Sequence, residues 1–342
     1  MAKTPVRLER STGGGAYDPT DRQIYFIASN PETLIDARPV NNHMLVAINE
    51  LDGAGEYRDF EALFAPGFPS GDVLILIDSG IFELAMRHAK IHGLPLDQVL
   101  SLAPEEVDGY QVLEEKYLRV VQEREKQLWG YVELDIGGPA NKTRTRRRLE
   151  TLGLAPIPVY HPVNDGWDYF DVLARKYDRI AVGNVVHADG PTRVRLFQSV
   201  YERARRYPGL WIHWLGVTPM PWLIAAPSGS CDSSTWLNPL RWPTNDDKCA
   251  LASMGQLPPS LIHVTGHGKR HPAGASKARL LHGYRAALME HTWRAMVHGI
   301  RDYATNMDAI EIPIRRGRPG ANDQAFARRT PKKKPQPGVK KK

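Results

Sequence analysis

Short apolar runs alternate with longer amphipathic stretches along most of this chain. The runs are rich in β-branched and aromatic residues and are bounded by Gly, Pro, Asn and Asp, a pattern typical of strands. We predict strands at 23–28, 43–48, 73–77, 131–134, 157–159, 179–182 and 211–215, and a short one just before Cys231. The run at 73–77, Val-Leu-Ile-Leu-Ile, has no polar alternation, as expected of a parallel strand covered on both faces.

The stretches between these runs have the periodicity of helices. Residues 104–128 carry a broad apolar stripe, with Pro104 in the first turn, and 169–177, 194–206 and 277–306 are further predicted helices. Eight strands with intervening helices predict an α/β fold, and a (β/α)8 TIM barrel in preference to an open doubly wound sheet. No glycine-rich nucleotide-binding motif follows any strand, so a nucleotide-cofactor fold has no support.

Composition and charge separate the chain into two parts. The chain has 342 residues, of which 42% are hydrophobic, enough for one sizeable core. Residues 315–342 hold eleven Lys and Arg against Asp323 alone, a charge of +10, which leaves −3 for the rest. We therefore predict one barrel domain over 1–314 and a basic, disordered tail over 315–342. Such a tail suits attraction to nucleic acid, or serves only as a solubilising terminus.

Compartment and surface charge follow from the remaining composition. The chain has two cysteines, Cys231 and Cys249, and neither an apolar leader nor a membrane-spanning run, so we expect a cytoplasmic protein. A second basic cluster, 142–148, lies inside the barrel domain. Its arginines are either candidate phosphate contacts or part of a solvated helix face: Arg144, Arg146, Arg147 and Arg148.

Aspartates follow three of the predicted strands. Asp78 follows 73–77, Asp135 follows 131–134, and Asp232 follows the last strand. Each alone is also explained as a helix cap at the start of a loop. In a barrel, however, the carboxyl ends of all strands meet at one mouth, where active sites form. Paired carboxylates there suit a glycosidic displacement, and a third can accept hydrogen bonds from a guanine-like base.

Five strand-end segments resemble a known family in their order along the chain. They are 77–83 (Ile-Asp-Ser-Gly-Ile-Phe-Glu), 134–135 (Leu-Asp), 181–184 (Ala-Val-Gly-Asn), 213–217 (His-Trp-Leu-Gly-Val) and 231–236 (Cys-Asp-Ser-Ser-Thr-Trp). Together they resemble the tRNA-guanine transglycosylase superfamily, and most of all its phage branch of DpdA-type DNA transglycosylases. The resemblance covers roughly 78–236, and the first seventy residues resemble the family only loosely.

This resemblance implies a TIM-barrel pentosyltransferase that replaces guanine in DNA with a preQ0-like 7-deazaguanine. It implies that Asp232 is the nucleophile and that Asp78 transfers protons. The implied base-binding residues are Ser79, Phe82, Asp135, Tyr160, His161, Gly183, Asn184 and Gly216. The family has a glutamine where this chain has Tyr160 and His161. Further candidates for nucleic-acid contact are Trp236, Lys269 and Arg270.

The expected partners are DNA, or tRNA, and a free 7-deazaguanine base, with no cofactor needed for the chemistry. The tRNA enzymes carry a zinc site of three cysteines and a histidine. In this chain the corresponding segment is either a mixed cysteine and histidine zinc site or a polar loop over the barrel mouth. The candidate zinc ligands are Cys249, His267, His271 and His282. The resemblance points to a bacteriophage source, hence to the host cytoplasm, and a homodimer stays open.

Three alternatives to base exchange in DNA stay open. One is the same exchange on tRNA. Another is a non-catalytic, nucleic-acid-binding barrel subunit. The last is an unrelated barrel glycosidase or lyase, which would use water rather than a free base as acceptor.

Overall fold

A computed structural model of the chain describes residues 24–39, 41–68, 70–185, 188, 190–217 and 229–234. Every described residue belongs to one compact unit, which lies within Met1–Ala304. The helix predicted at 277–306 and the basic tail lie outside the described residues. So do several candidate site residues: Trp236, Cys249, His267, Lys269, Arg270, His271 and His282. Over the described ranges, no helix has the length and apolar character needed to cross a membrane.

Eight parallel strands form one curled sheet. They are β1 (Ile24–Ala28), β2 (His43–Ala47), β3 (Leu74–Asp78), β4 (Leu128–Tyr131), β5 (Val159–Tyr160), β6 (Arg179–Val182), β7 (Trp211–Trp214) and β8 (Gly229–Ser233). Their order in the sheet is β4-β3-β2-β1-β8-β7-β6-β5, and every pairing is parallel. The alternation of strand and helix thus gives the predicted α/β architecture, in a TIM-like arrangement.

Helices connect consecutive strands in most of the chain. They are α1 (Pro31–Ala37), α2 (Ala54–Ala62), α3 (Ile81–His92), α4 (Leu96–Val99), α5 (Tyr110–Arg124), α6 (Gly138–Thr151), α7 (Trp167–Lys176) and α8 (Gly190–Ala204). Short 3₁₀ turns lie at Ile48–Glu50, Pro104–Glu106 and Glu125–Gln127. Neighbouring parallel strands are usually joined by a crossover helix, so the parallel sheet agrees with the alternation of strands and helices predicted from the sequence.

The core has two layers, one on each face of the sheet. Side chains alternate between the faces because a strand has a period of two residues. The concave face holds a compact cluster that includes Phe26, Leu76, Trp129 and Trp211. The convex face packs against the helices through a larger cluster, which accounts for the strongly apolar strands.

The two edge strands of the sheet order, β4 and β5, meet at a narrow seam. A parallel bridge joins Val132 to Ile157, where Ile157 N–H donates to Tyr131 O at 2.8 Å and Glu133 N–H donates to Ile157 O at 3.0 Å. Two residues beyond Ile157, at Val159, hydrogen bonds to side chains take the place of backbone hydrogen bonds between strands. Val159 N–H donates to Glu133 Oε1 at 2.6 Å, and the Lys142 ammonium donates to Val159 O at 3.0 Å. Buried charged side chains thus complete the hydrogen bonding of β5 on this side.

Element boundaries differ from the prediction mainly around β4. The strand predicted at 131–134 occupies Leu128–Tyr131, and the helix predicted at 104–128 is divided into a 3₁₀ turn, α5 and a second turn. Leu128 and Trp129 are fully buried, as apolar residues are in either a helix or a strand. Periodicity alone therefore could not place the end of the helix.

Candidate active site

Strand alternation directs two of the three candidate aspartates away from the helix layer. Asp78 continues the alternation of Leu74 and Leu76; Leu76 belongs to the concave cluster and Leu74 packs against it. Asp232 follows Cys231, a member of the convex cluster, and is 5% exposed. Asp135 lies four residues beyond the end of β4, and its contacts with Ser79 and His161, rather than alternation, place it beside the ends of β3 and β5. The three carboxylates therefore lie at one mouth of the curled sheet.

The Asp78 carboxyl group has the most perturbed acidity of the three. Burial, together with the charges of Asp135 and Asp232, raises its pKa to about 7, against hydrogen bonds from the backbone N–H groups of Ser79 and Gly80 that favour the ionised form. In a flat sheet, β3 and β8 would lie about 14 Å apart, three strand spacings. The bridge between Val132 and Ile157 joins the two ends of the sheet order, so the sheet curves round and brings these strand ends towards each other. Asp78 is therefore suited to gain and lose a proton near neutral pH.

Gly80 makes the turn that presents Asp78. Its φ of 73° is left-handed, and a Cβ there would lie 2.8 Å from Asn49 Oδ1. Only glycine fits such a position without strain. The sharp turn aims two backbone N–H groups at the Asp78 carboxylate before α3 begins at Ile81.

Asp135 is held as an anion by contacts on both oxygens. Ser79 Oγ donates to Oδ1 at 3.1 Å, and His161 Nε2 lies 2.9 Å from Oδ2. Burial opposes ionisation, but the His161 hydrogen bond and the charges of His161 and Lys142 outweigh it, so the pKa of Asp135 is lowered. Asp135 is thus a fixed, charged acceptor, the property that recognition of base N–H groups requires.

Asp232 is fixed through one of its oxygens. Gly216 N–H donates to Oδ1 at 2.9 Å, and His213 Nε2 lies 3.2 Å from the same atom. On the other side of the ring, Ser230 Oγ lies 2.8 Å from His213 Nδ1 and accepts a hydrogen bond from Trp211 Nε1 at 2.8 Å. An indole nitrogen only donates, so the serine hydroxyl hydrogen is available for Nδ1. The Nε2–H tautomer of His213 then faces the carboxylate.

His213, Asp165 and Lys142 are site-supporting residues that our site prediction missed. Asp165 Oδ2 accepts from His161 N–H at 2.7 Å and pairs with the fully buried Lys142 ammonium, which fixes the segment that carries His161. A signal for His213 was present, because it is a polar residue inside the apolar run at 211–215. Asp165 had none, because it lies in a loop and its partner is 23 residues away.

The predicted base contacts have different outcomes. His161 and Gly183 meet at the site: a Cβ on Gly183 would lie 3.2 Å from the His161 ring, so glycine leaves room for the imidazole. Asn184 has a φ of 62° and donates to Asn164 Oδ1 at 3.2 Å. Phe82 is 39% exposed in the first turn of α3. These residues stay candidates for contact with a base.

Tyr160 does not face the site. It is fully buried in the convex cluster, with its ring 5.1 Å from Phe170 and 5.6 Å from Trp167. The residue of the pair that turns inward is His161. The predicted base contact through Tyr160 is therefore wrong, because the alternation of β5 directs its ring to the helix layer.

The arginine cluster on α6 is divided between interior and surface. Arg146 is 3% exposed and donates to Glu133 Oε2 at 2.6 Å and to the Tyr177 hydroxyl at 2.9 Å, so the predicted phosphate contact through Arg146 is wrong. Arg144 pairs with Glu105, and Arg148 pairs with Glu114. Arg147 is exposed. The three outer arginines stay candidates for phosphate contact.

We expect replacement of Arg146 by methionine to lower the free energy of unfolding by about 3 kcal/mol, because it leaves Glu133 buried without its cation. Arg147→Met, on the same helix, is the matched control and should change stability by less than about 0.5 kcal/mol. Urea unfolding and DNA affinity, measured on both variants, check this. A stable Arg146→Met variant with weakened DNA binding would contradict the interior role.

Comparisons with known proteins do not identify a family for this chain. No protein-family model matches the chain, and no curated protein matches it. It is similar to a solved Coccidioides immitis protein assigned as a fructose-1,6-biphosphate aldolase, with TM-score 0.42 and 11% identity over 84% of this chain and 94% of that one. It is also similar to a Sinorhizobium meliloti 1021 protein assigned as a tagatose 6 phosphate kinase, with TM-score 0.34 and 13% identity over 85% and 89%. The function has therefore to be inferred from the side chains at the strand ends.

Proposed function

We propose that this chain is a base-exchange transglycosylase that replaces guanine in DNA with a 7-deazaguanine through a covalent glycosyl-aspartate. One observation carries the proposal: three carboxylates share the mouth, and the surroundings of Asp78 and Asp135 shift the pKa values of these two groups in opposite directions. Asp78 has a pKa of about 7, whereas the pKa of Asp135 is lowered. Carboxyl groups whose environments separate their acidities can take different roles in one reaction.

Asp232 is the proposed nucleophile. Among the described residues, Gly216 and His213 both contact Oδ1, so Oδ2 is the candidate attacking oxygen. A target nucleotide, flipped out of its stack, would place the C1′ atom of its sugar against Oδ2. A C1′–O bond forms as the bond from C1′ to the glycosidic nitrogen breaks, and the electron pair leaves with guanine. His213 holds the carboxylate oriented throughout.

Asp78 is the proposed proton-transfer group. In its protonated form it donates a proton to the departing guanine. The resulting carboxylate then takes the proton from the glycosidic nitrogen of an incoming 7-deazaguanine, which attacks C1′ and releases Asp232. Two displacements at C1′ give net retention of configuration. Every proton and electron pair is accounted for without a further co-reactant.

Asp135 is the proposed reader of the base. As a fixed anion it accepts hydrogen bonds from the N–H groups on the guanine edge, which 7-deazaguanines share. Ser79 and His161 hold its two oxygens in place. A base without those N–H groups would leave the remaining acceptor positions of this largely enclosed carboxylate without donors, and this penalty gives selectivity.

The test is base exchange by purified full-length protein. Double-stranded DNA and tRNA, each with radiolabelled guanine, are incubated with and without preQ0, and released label and product nucleosides are measured by chromatography and mass spectrometry. We expect release from DNA that depends on the free base. Release from tRNA alone would favour the tRNA enzyme, and release that needs only water would favour a glycosidase. Tight DNA binding with no release would favour a non-catalytic barrel.

A further inference from the structure

A second group of polar side chains lies at the far end of α3 from Asp78. His88 and His92 are one helical turn apart on α3, so they share a face, and their ring centroids are 4.2 Å apart. Asp108, in the segment before α5, meets both rings. Its Oδ2 lies 3.3 Å from His88 Nδ1 and 2.6 Å from His92 Nε2. At about 1.5 Å of rise per residue, the pair lies roughly 10 to 16 Å along the helix from its first residue.

Three ligand atoms therefore converge from two segments of the chain. The two ring nitrogens and a carboxylate oxygen all lie within 4.8 Å of one another. Without an ion, Asp108 Oδ2 lies beside both imidazoles, His88 Nδ1 accepts a hydrogen bond from Asp108 N–H, and the largely exposed contact between Asp108 and His92 stabilises a fold little. Two imidazoles and a carboxylate are also a donor set that zinc and its neighbours in the first transition row accept.

The spacing of these donors suits tetrahedral coordination. Bonds of about 2.0–2.1 Å to one ion place neighbouring ligand atoms about 3.3 Å apart. The 3.3 Å between His88 Nδ1 and Asp108 Oδ2 already matches that edge. The contact between His92 and Asp108 must open by about 0.7 Å to reach it. The His92 side chain is 45% exposed and the Asp108 side chain 60% exposed, so both have room to turn.

We propose that His88, His92 and Asp108 bind a divalent transition-metal ion of the zinc type, with water completing the coordination. Asp108 N–H now donates to His88 Nδ1 at 3.1 Å, and binding would exchange that hydrogen bond for a metal–nitrogen bond. The ion would tie the C-terminal end of α3 to the segment that leads into α5. Oxygen-preferring magnesium and calcium fit the two imidazoles poorly. This site is independent of the proposed base exchange and differs from the candidate ligands Cys249, His267, His271 and His282.

The test uses full-length protein stripped by a chelator and titrated with zinc chloride in a calorimeter, and with cobalt(II) by absorption. We expect zinc to bind and to raise the midpoint of thermal unfolding. Loss of a supporting partner of a metal ligand costs roughly 10- to 100-fold in affinity, so removing a ligand itself should cost at least about tenfold. His92→Ala and Asp108→Asn change exposed side chains and should each show that loss, or lose one bound ion. Lys90→Ala, exposed on the same helix, should bind as the wild type.

Other outcomes overturn the proposal. Zinc binding that is unchanged in both His92→Ala and Asp108→Asn would do so, as would a wild-type protein that binds no zinc. A cobalt complex with a strong near-ultraviolet sulfur charge-transfer band, lost on Cys249→Ser while both α3-site variants bind normally, would place the ion elsewhere. Circular dichroism of each variant confirms that the fold is retained.

Discussion

Asp232→Asn is expected to lower the rate of base exchange by at least about 10³-fold, because an amide oxygen is a poor nucleophile at C1′ and loss of a catalytic nucleophile has effects of this size or larger. Its shape still accepts the hydrogen bond from Gly216, so the site should stay assembled. A denaturation-resistant protein–DNA adduct, trapped without free base and seen by gel electrophoresis, should be present for wild type and absent for the variant.

Asp97→Asn is the matched control, because Asp97 is exposed on α4. It should give the wild-type adduct and rate. An adduct of equal yield from Asp232→Asn would remove Asp232 from the nucleophile role. Loss of the adduct together with loss of DNA binding would point to a structural effect instead, so affinity for the same DNA is measured in parallel.

Asp78→Asn is expected to change both activity and stability, and the two effects have opposite signs. The first half-reaction needs the protonated acid, so the wild-type rate of adduct formation should fall as pH rises above the Asp78 pKa of about 7. An amide cannot donate that proton from a carboxyl group, and the variant should be about 10²- to 10⁴-fold slower, without the same pH dependence.

The stability effect follows from the same raised pKa. In the unfolded chain Asp78 ionises near 3.8, whereas in the folded chain its pKa is about 7. Its favourable contribution is thus fully present below the unfolded pKa, is lost as pH rises through the folded pKa, and stays absent above it. A shift of about three units corresponds to roughly 4 kcal/mol at most, so Asp78→Asn should be more stable than wild type at pH 8 by up to that amount.

Urea unfolding at pH 4 and pH 8 measures this effect, with Asp97→Asn again as control. The advantage of Asp78→Asn should shrink strongly at pH 4, where the wild-type carboxyl is largely protonated in the folded state. A variant that is no more stable than wild type at pH 8 would contradict the crowded, half-buried environment of the Asp78 carboxyl group.

The sequence predicts where the strands of this fold end better than it predicts which way their side chains point. Apolar runs fixed most strands, and the residues that follow them include Asp78 and Asp135, which the structure brings together. Both faces of a parallel sheet are buried, so both sets of alternating side chains are apolar. Apolar character therefore does not tell which set lies on the concave face and which set faces the helices. The resemblance implies both Tyr160 and His161 as base contacts, whereas the structure brings only His161 to Asp135.

The charged face of α6 shows a second limit. Lys142, Thr145, Arg146 and Leu149 are buried at the helical spacing of a core stripe, yet two of them are cations. Their partners, Glu133 and Asp165, come from other segments of the chain, so a run of basic residues resembles a solvated face until the pairing is known. The helical spacing of the buried residues on α6 can be recognised in the sequence, whereas the ion pairs that allow its two cations to be buried cannot.

The seam between β4 and β5 has a consequence for how the mouth can adapt. Beyond the bridge at Val132 and Ile157, peptide groups no longer tie these two strands together, and their tips carry Asp135 and His161. The His161 imidazole contacts the Asp135 carboxylate across the gap between those tips. Under the proposed function a base would bind at this part of the rim, where side-chain contacts rather than strand hydrogen bonds join the two segments, and we expect the exchange of bases that differ in their 7-substituents to be tolerated there.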